Sequence, residues 1–173
     1  MKFYSGFSLK NDEHFFKEYI NYSEYTVSGF SYGAIKAFKY VKEQLDLGKR
    51  VDTLQLFSPA FFQTKSVKFK RMQTMSFKKD SSSYLNLFIS SSFSPYHNKY
   101  IENVEANILD LNELLSYEWI VSELLRLKNS GVKIEIYLGG KDTIIDIEGA
   151  RKLFVQVSTL TYIKDANHFL QTN

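Results

Sequence analysis

Short runs of strand character occur at Lys2–Ser5, Tyr25–Gly29, Val51–Ser58, Val132–Leu138 and Thr159–Ile163. In three of them apolar and polar residues alternate: Leu54 and Leu56 against Thr53 and Gln55, Ile134 and Ile136 against Lys133 and Glu135, Leu160 and Tyr162 against Thr159 and Thr161. A period of two marks a half-buried strand. Between the first three runs the apolar spacing turns helical, over Asp12–Asn21 and Tyr32–Leu47. Ile35, Phe38 and Val41 form a stripe in the second of these, and Gly48 stops it. A further helix, Asp146–Val157, separates the last two strands. Alternating strands and helices predict parallel pairing through crossovers, an α/β layer fold. A strand covered on both faces would be apolar nearly throughout. The alternation therefore predicts helices mainly on one face of about five parallel strands, with the other face wet or thinly covered.

The stretch from about 61 to 128 contains no convincing strand and reads as three or four helices. Ser81-Ser82-Ser83 is placed to cap a helix over Tyr84–Ser90, and Asn112–Asn129 carries a leucine-rich side closed by Gly131. We read it as a helical cap inserted after the third strand of a single domain spanning 1–173.

The chemistry sits where strands end. Gly29-Phe30-Ser31-Tyr32-Gly33 fits G-x-S-x-G, follows a predicted strand and opens a predicted helix, which is the setting of a nucleophile elbow. A sharp strand-to-helix turn needs small neighbours, lifts the hydroxyl above the sheet edge and aims the helix's positive end at a developing oxyanion. The competing reading is a glycine-rich turn before a helix. A serine nucleophile needs a base. His168 follows the last strand and so shares the edge with Ser31, whereas His14 lies on the first helical pattern and His97 in the insertion, where a packing or capping role is expected. Asp142, just past Lys133–Leu138, is the candidate to orient the imidazole. Asp146 reads as a helix N-cap, and Asp165 lies too close to His168 in sequence. The order Ser31, Asp142, His168 is that of an α/β-hydrolase. Two backbone donors complete the set: Tyr32 N–H, and Phe7 N–H in the turn Ser5-Gly6-Phe7-Ser8, where Gly6 is expected to permit an unusual backbone.

Composition narrows the alternatives. The 173 residues contain no cysteine and three histidines, which removes disulfides, thiolate chemistry and multi-histidine metal sites; no metal and no cofactor is expected. A net charge of +3 gives no reason to expect nucleic-acid binding. No apolar run approaches a membrane span, and Met1–Gly6 reads into a strand and turn rather than a signal peptide, so a cytoplasmic protein is expected. The charges are segregated, however. Lys65, Lys68, Lys70, Arg71, Lys78 and Lys79 lie in a stretch with no acidic residue, and Glu102, Glu105, Asp110, Glu113, Glu118 and Glu123 in one with no Lys or Arg. The two stretches could pair with each other, or the basic one could face an acidic partner.

The chain resembles the small BioV-type pimeloyl-[acyl-carrier protein] methyl ester esterases of biotin synthesis. The resemblance rests on Phe3-Tyr4-Ser5-Gly6-Phe7, on Val27 to Ala37 around the elbow, on Leu56-Phe57-Ser58-Pro59, Lys68-Phe69-Lys70-Arg71 and Gly140-Lys141-Asp142, and on Asn167-His168-Phe169-Leu170-Gln171. It is weakest between Asn86 and Leu111, and Tyr32 stands where relatives often have Met. It implies a Ser-Asp-His carboxylesterase acting on a substrate carried by acyl-carrier protein. On that reading Lys65, Lys68, Lys70 and Arg71 dock the carrier. The aromatics Phe61, Phe62, Phe69, Phe77, Phe88, Phe93, Tyr96, Tyr100 and Trp119 line a tunnel for a straight acyl chain or form the insertion's own core. The rival readings are an esterase or thioesterase of the same fold acting on small acyl groups, and a non-catalytic carrier-binding module.

Overall fold

A computed structural model describes residues Met1–Asn173. Five strands, β1 (Lys2–Tyr4), β3 (Thr26–Phe30), β4 (Thr53–Phe57), β6 (Lys133–Gly139) and β7 (Thr159–Ile163), form one parallel sheet in the order β1-β3-β4-β6-β7. Spatial order thus follows chain order. The in-register pairs Phe30↔Phe57 and Phe57↔Tyr137 bring the carboxyl ends of the three central strands to one edge.

The alternation read from the sequence divides the faces. Val27, Leu54, Leu56, Ile134, Ile136 and Leu138 pack with Ile35, Phe38 and Val41 of α1 (Tyr32–Asp46) and with Ala150 and Phe154 of α6 (Ile147–Phe154). Burying each large apolar side chain contributes about 2 kcal/mol, so this face carries most of the stability. The opposite face bears Thr26, Ser28, Thr53 and Gln55, all buried. Its cover is thin: a 3-10 turn at Asp12–Phe16, the loop behind it and the chain's last turn. Gln55 makes that cover possible. Its amide donates to the Tyr19 carbonyl and to Glu135, and its oxygen accepts from Asn21 N–H and the Ser28 hydroxyl, so the Gln55 amide and the Ser28 hydroxyl are both partnered under that cover.

This network also explains a correction. The helix expected over Asp12–Asn21 is only the 3-10 turn, because the Tyr19 carbonyl and Asn21 amide are bonded to Gln55 of the sheet instead of continuing a helical ladder.

Between β4 and β6 lie four helices, α2 (Val67–Lys79), α3 (Ser81–Phe93), α4 (Ile108–Ser116) and α5 (Val121–Asn129). The three serines are the first turn of α3 and Asp80 is its cap, accepting from Ser83 N–H at 2.9 Å. The single helix expected over Asn112–Asn129 is broken at Tyr117–Ile120. There Trp119 is buried, with its backbone N–H on Gln63 and its indole N–H on the Ala60 carbonyl. The insertion also holds a strand the sequence did not reveal, β5 (Glu102–Asn103), which pairs antiparallel with β2 (Leu9–Lys10).

Candidate active site

Ser31 stands between β3 and α1 with φ 51° and ψ −113°, a conformation that costs a non-glycine residue roughly 1–3 kcal/mol. Flanking interactions hold it there: its N–H donates to the Phe57 carbonyl, and its own carbonyl accepts from Ala34 and Ala60 N–H. The two glycines of the motif are needed for packing. A Cβ at Gly33 would lie 2.0 Å from the Tyr4 carbonyl oxygen, and one at Gly29 would lie 2.3 Å from the Gly33 carbonyl oxygen.

Loops after β6 and β7 deliver the other two side chains. Lys141 N–H bonds the Ala166 carbonyl and Gly140 N–H the Ile163 carbonyl, so the loops carrying Asp142 and His168 are stitched together. Asp142 Oδ1 accepts from Ile144 N–H at 2.7 Å, which leaves Oδ2 to accept from His168 Nδ1–H at 2.5 Å. That bond fixes the tautomer, and His168 Nε2 then accepts from the Ser31 hydroxyl at 3.0 Å. All three residues are buried. Asn167, to which its place in the sequence assigns no role, aims the histidine: its side-chain oxygen accepts from Phe169 and Gln171 N–H, and its amide donates to the Phe93 carbonyl. An Asn two residues before an apolar residue in a turn is the signal that could have found it.

The Phe7 ring packs edge-on to Tyr32 with centroids 6.4 Å apart, so the turn after β1 abuts the elbow. Neither Phe7 N–H nor Tyr32 N–H engages an acceptor within the protein. Gly6 has no left-handed backbone. It is required because a Cβ would meet the Phe30 ring at 2.8 Å. Its N–H donates to Asp12 Oδ2 at 2.9 Å, a buried contact invisible in the sequence. Burial pushes the Asp12 carboxyl pKa up, against the hydrogen bond from Gly6 N–H.

The remaining candidates separate. His14 and His97 are exposed, Asp165 pairs with Lys141, and Asp146 caps α6 by accepting from Gly149 N–H. The hydrogen bond from Thr64 holds Asp146 below the usual carboxylate range. No group of acidic or histidine side chains could hold a metal ion, and no helix is long and apolar enough to cross a membrane.

A cavity of about 260 Å³ opens beside the site, lined by Phe62, Phe69, Tyr84, Phe88, Leu114 and Leu115 among others, and by Thr143 and Ile144 next to Asp142. Burial raises the Tyr84 phenol to about 12. Of the nine aromatics singled out, Phe62, Phe69 and Phe88 face this cavity; Phe61, Phe77, Phe93 and Trp119 are core; Tyr96 donates to the Asp165 carbonyl; and Tyr100 is exposed.

The two charged stretches do not pair with each other. Lys36, Lys39 and Lys42 of α1 take Asp110, Glu113 and Glu123. Lys65, Lys68, Lys70 and Arg71 make no ion pair, and Lys68 and Arg71 are exposed on α2.

Solved structures share the fold. An esterase from Exiguobacterium antarcticum matches with TM-score 0.64 and 21% identity, over 83% of this chain and 59% of its own. A hydrolase from Oleispira antarctica matches with TM-score 0.62 and 12% identity, over 85% of this chain and 59% of its own. The fold is an α/β-hydrolase. Five parallel strands make it a reduced form, and the chain spans less than two thirds of the length of those two hydrolases. Nearer in size is BioG from Haemophilus influenzae, matched with TM-score 0.58 and 7% identity over 97% of this chain and 87% of BioG. No protein-family model and no curated protein matches the sequence.

Proposed function

We propose that this α/β-hydrolase is a cytoplasmic serine carboxylesterase that removes the methyl group from pimeloyl-acyl-carrier protein methyl ester in biotin synthesis. The observation that carries the ester-hydrolase part is the hydrogen-bonded line from Ser31 through His168 to Asp142, set beside two unengaged backbone amides. His168 Nε2 takes the Ser31 proton as Oγ attacks the ester carbonyl, and Asp142 holds the imidazolium that forms. The Phe7 and Tyr32 amides receive the oxyanion, an interaction worth roughly 3 kcal/mol per donor. His168 returns the proton to departing methanol. Water, deprotonated by the same histidine, then cleaves the acyl-enzyme.

The substrate part rests on the sequence resemblance, with two structural supports. The apolar cavity suits a straight acyl chain. The basic residues of the α2 region, free of ion pairs, suit an acidic carrier protein, and such rim charges act mainly on encounter rate and orientation.

The test is mass spectrometry of pimeloyl-carrier-protein methyl ester incubated with the enzyme and with Ser31→Ala. The expected product is a carrier lighter by one methylene, formed only when Ser31 is present. Release of the whole acyl group would make the protein a thioesterase. An unchanged carrier with small esters still cleaved would leave the hydrolase and remove the substrate.

A further inference from the structure

Tyr32 does two things at once. Its backbone N–H follows the nucleophile, while its side chain leaves the elbow and enters the insertion. The hydroxyl donates to Asp110 Oδ1 at 3.1 Å and contacts Glu113 Oε2, both on α4. Burial, then the two carboxylates, push its pKa well above the ordinary tyrosine value, so the phenol stays a donor. Lys36 lies over the ring at 4.3 Å and 3.9 Å from Asp110, and Lys39 pairs with Glu113, so the acidic pair is itself held in place by α1.

The other unengaged amide is tied to the same stretch of insertion. Ser8, directly after Phe7, accepts from Val104 N–H at 2.9 Å through its carbonyl, and Leu9 and Lys10 pair with Asn103 and Glu102. Asn11 adds a bond to Glu102 at 3.0 Å. A cleft of about 210 Å³ separates the two attachments, bounded by Ser5, Gly6, Lys36, Val104 and Glu105. One strap, 102–113, therefore grips the turn carrying Phe7 at its first end and the side chain of Tyr32 at its last.

We propose that this strap sets the spacing of the two oxyanion donors, and that the Tyr32 hydroxyl on Asp110 and Glu113 is the latch fixing its far end. The side chain is a positioning residue, since only the backbone N–H would touch the substrate. The inference rests on the ester-hydrolase reading but not on the identity of the acyl group. Misplacing a donor by a fraction of an ångström weakens only the charge that develops in the transition state, so kcat falls while KM is kept.

The experiment compares Tyr32→Phe, the double variant Asp110→Ala/Glu113→Ala, and the two combined. Each is assayed for turnover of p-nitrophenyl butyrate and for the rate of Ser31 labelling by a fluorophosphonate. Each alteration alone is expected to lower kcat and the labelling rate about tenfold with KM within about twofold, and the combination to be no worse than either, because both open one latch. Rates within twofold of the starting protein, or losses that multiply to about a hundredfold in the combination, would overturn the latch. The cap-side variant carries the test even if Tyr32→Phe folds poorly. A starting protein that is labelled yet hydrolyses no ester would discard the functional reading, and the labelling rates would still decide the latch.

Discussion

Ser31, Gly33 and Asp12 each occupy a place with little tolerance. Gly33 faces the Tyr4 carbonyl, which belongs to the sheet and cannot retreat. Gly33→Ala is therefore expected to cost about 3 kcal/mol, at the upper end of overpacking penalties, measured as a lower urea midpoint with an unchanged slope. Asp12 invites a pH test, because its second oxygen is buried without a partner. Folding raises its pKa, so the stability this group contributes is complete below the unfolded value of about 4 and is lost as pH rises through the folded value. Asp12→Asn keeps an acceptor for Gly6 without the charge. The melting temperature of the native protein should therefore fall relative to that variant between pH 4 and pH 7; a constant difference would contradict a buried carboxyl. Placement that depends on chain position could be read from sequence: Ser31, Asp142 and His168 each follow a strand, and the structure brings them together. Asp12 and Asn167 could not, since their roles are hydrogen bonds to backbone that only the folded loops bring near.

Elements were legible in proportion to how far they hold themselves together. α1 and β7 form nearly where their periodicity places them, because one face of each meets the shared core. The segment after β2 has helical spacing in Phe15, Phe16, Tyr19 and Ile20, yet the sheet claims its backbone through Gln55. The insertion helix breaks where burying Trp119 takes its backbone N–H to Gln63. β5 is two residues long and has no pattern to read. The charge pattern, by contrast, was visible but its pairing was not: lysines spaced along α1 absorb the acidic stretch, leaving α2 basic and partnerless. If α2 docks an acidic carrier, replacing Lys68, Lys70 and Arg71 with Glu should depress hydrolysis of the carrier-bound ester about tenfold more than that of a small soluble ester, with added salt narrowing the gap. Equal losses on both substrates would discard the docking.

For the molecule as a whole, and on the proposed ester-hydrolase reading, the cavity is the place to alter preference without altering chemistry. Leu115 lines it from α4 and is nearly inaccessible to solvent. Leu115→Phe should raise KM for a long acyl ester several-fold while an acetyl ester, too short to enter, keeps its KM; parallel changes would show that the acyl chain lies elsewhere. The strand order deepens this point. Doubly wound sheets own a crevice where the order of strands reverses and neighbouring loops part company. Here the order runs β1-β3-β4-β6-β7 without reversal, so the sheet has no topological switch point. Concavity has to be supplied by what is spliced between strands, and apart from Thr143 and Ile144 the cavity wall comes from residues 62–115. On the proposed ester-hydrolase reading, reactivity and selectivity are then written in separate stretches of one chain, and exchanging the spliced stretch between proteins of this fold is a route to new substrates around the same three side chains.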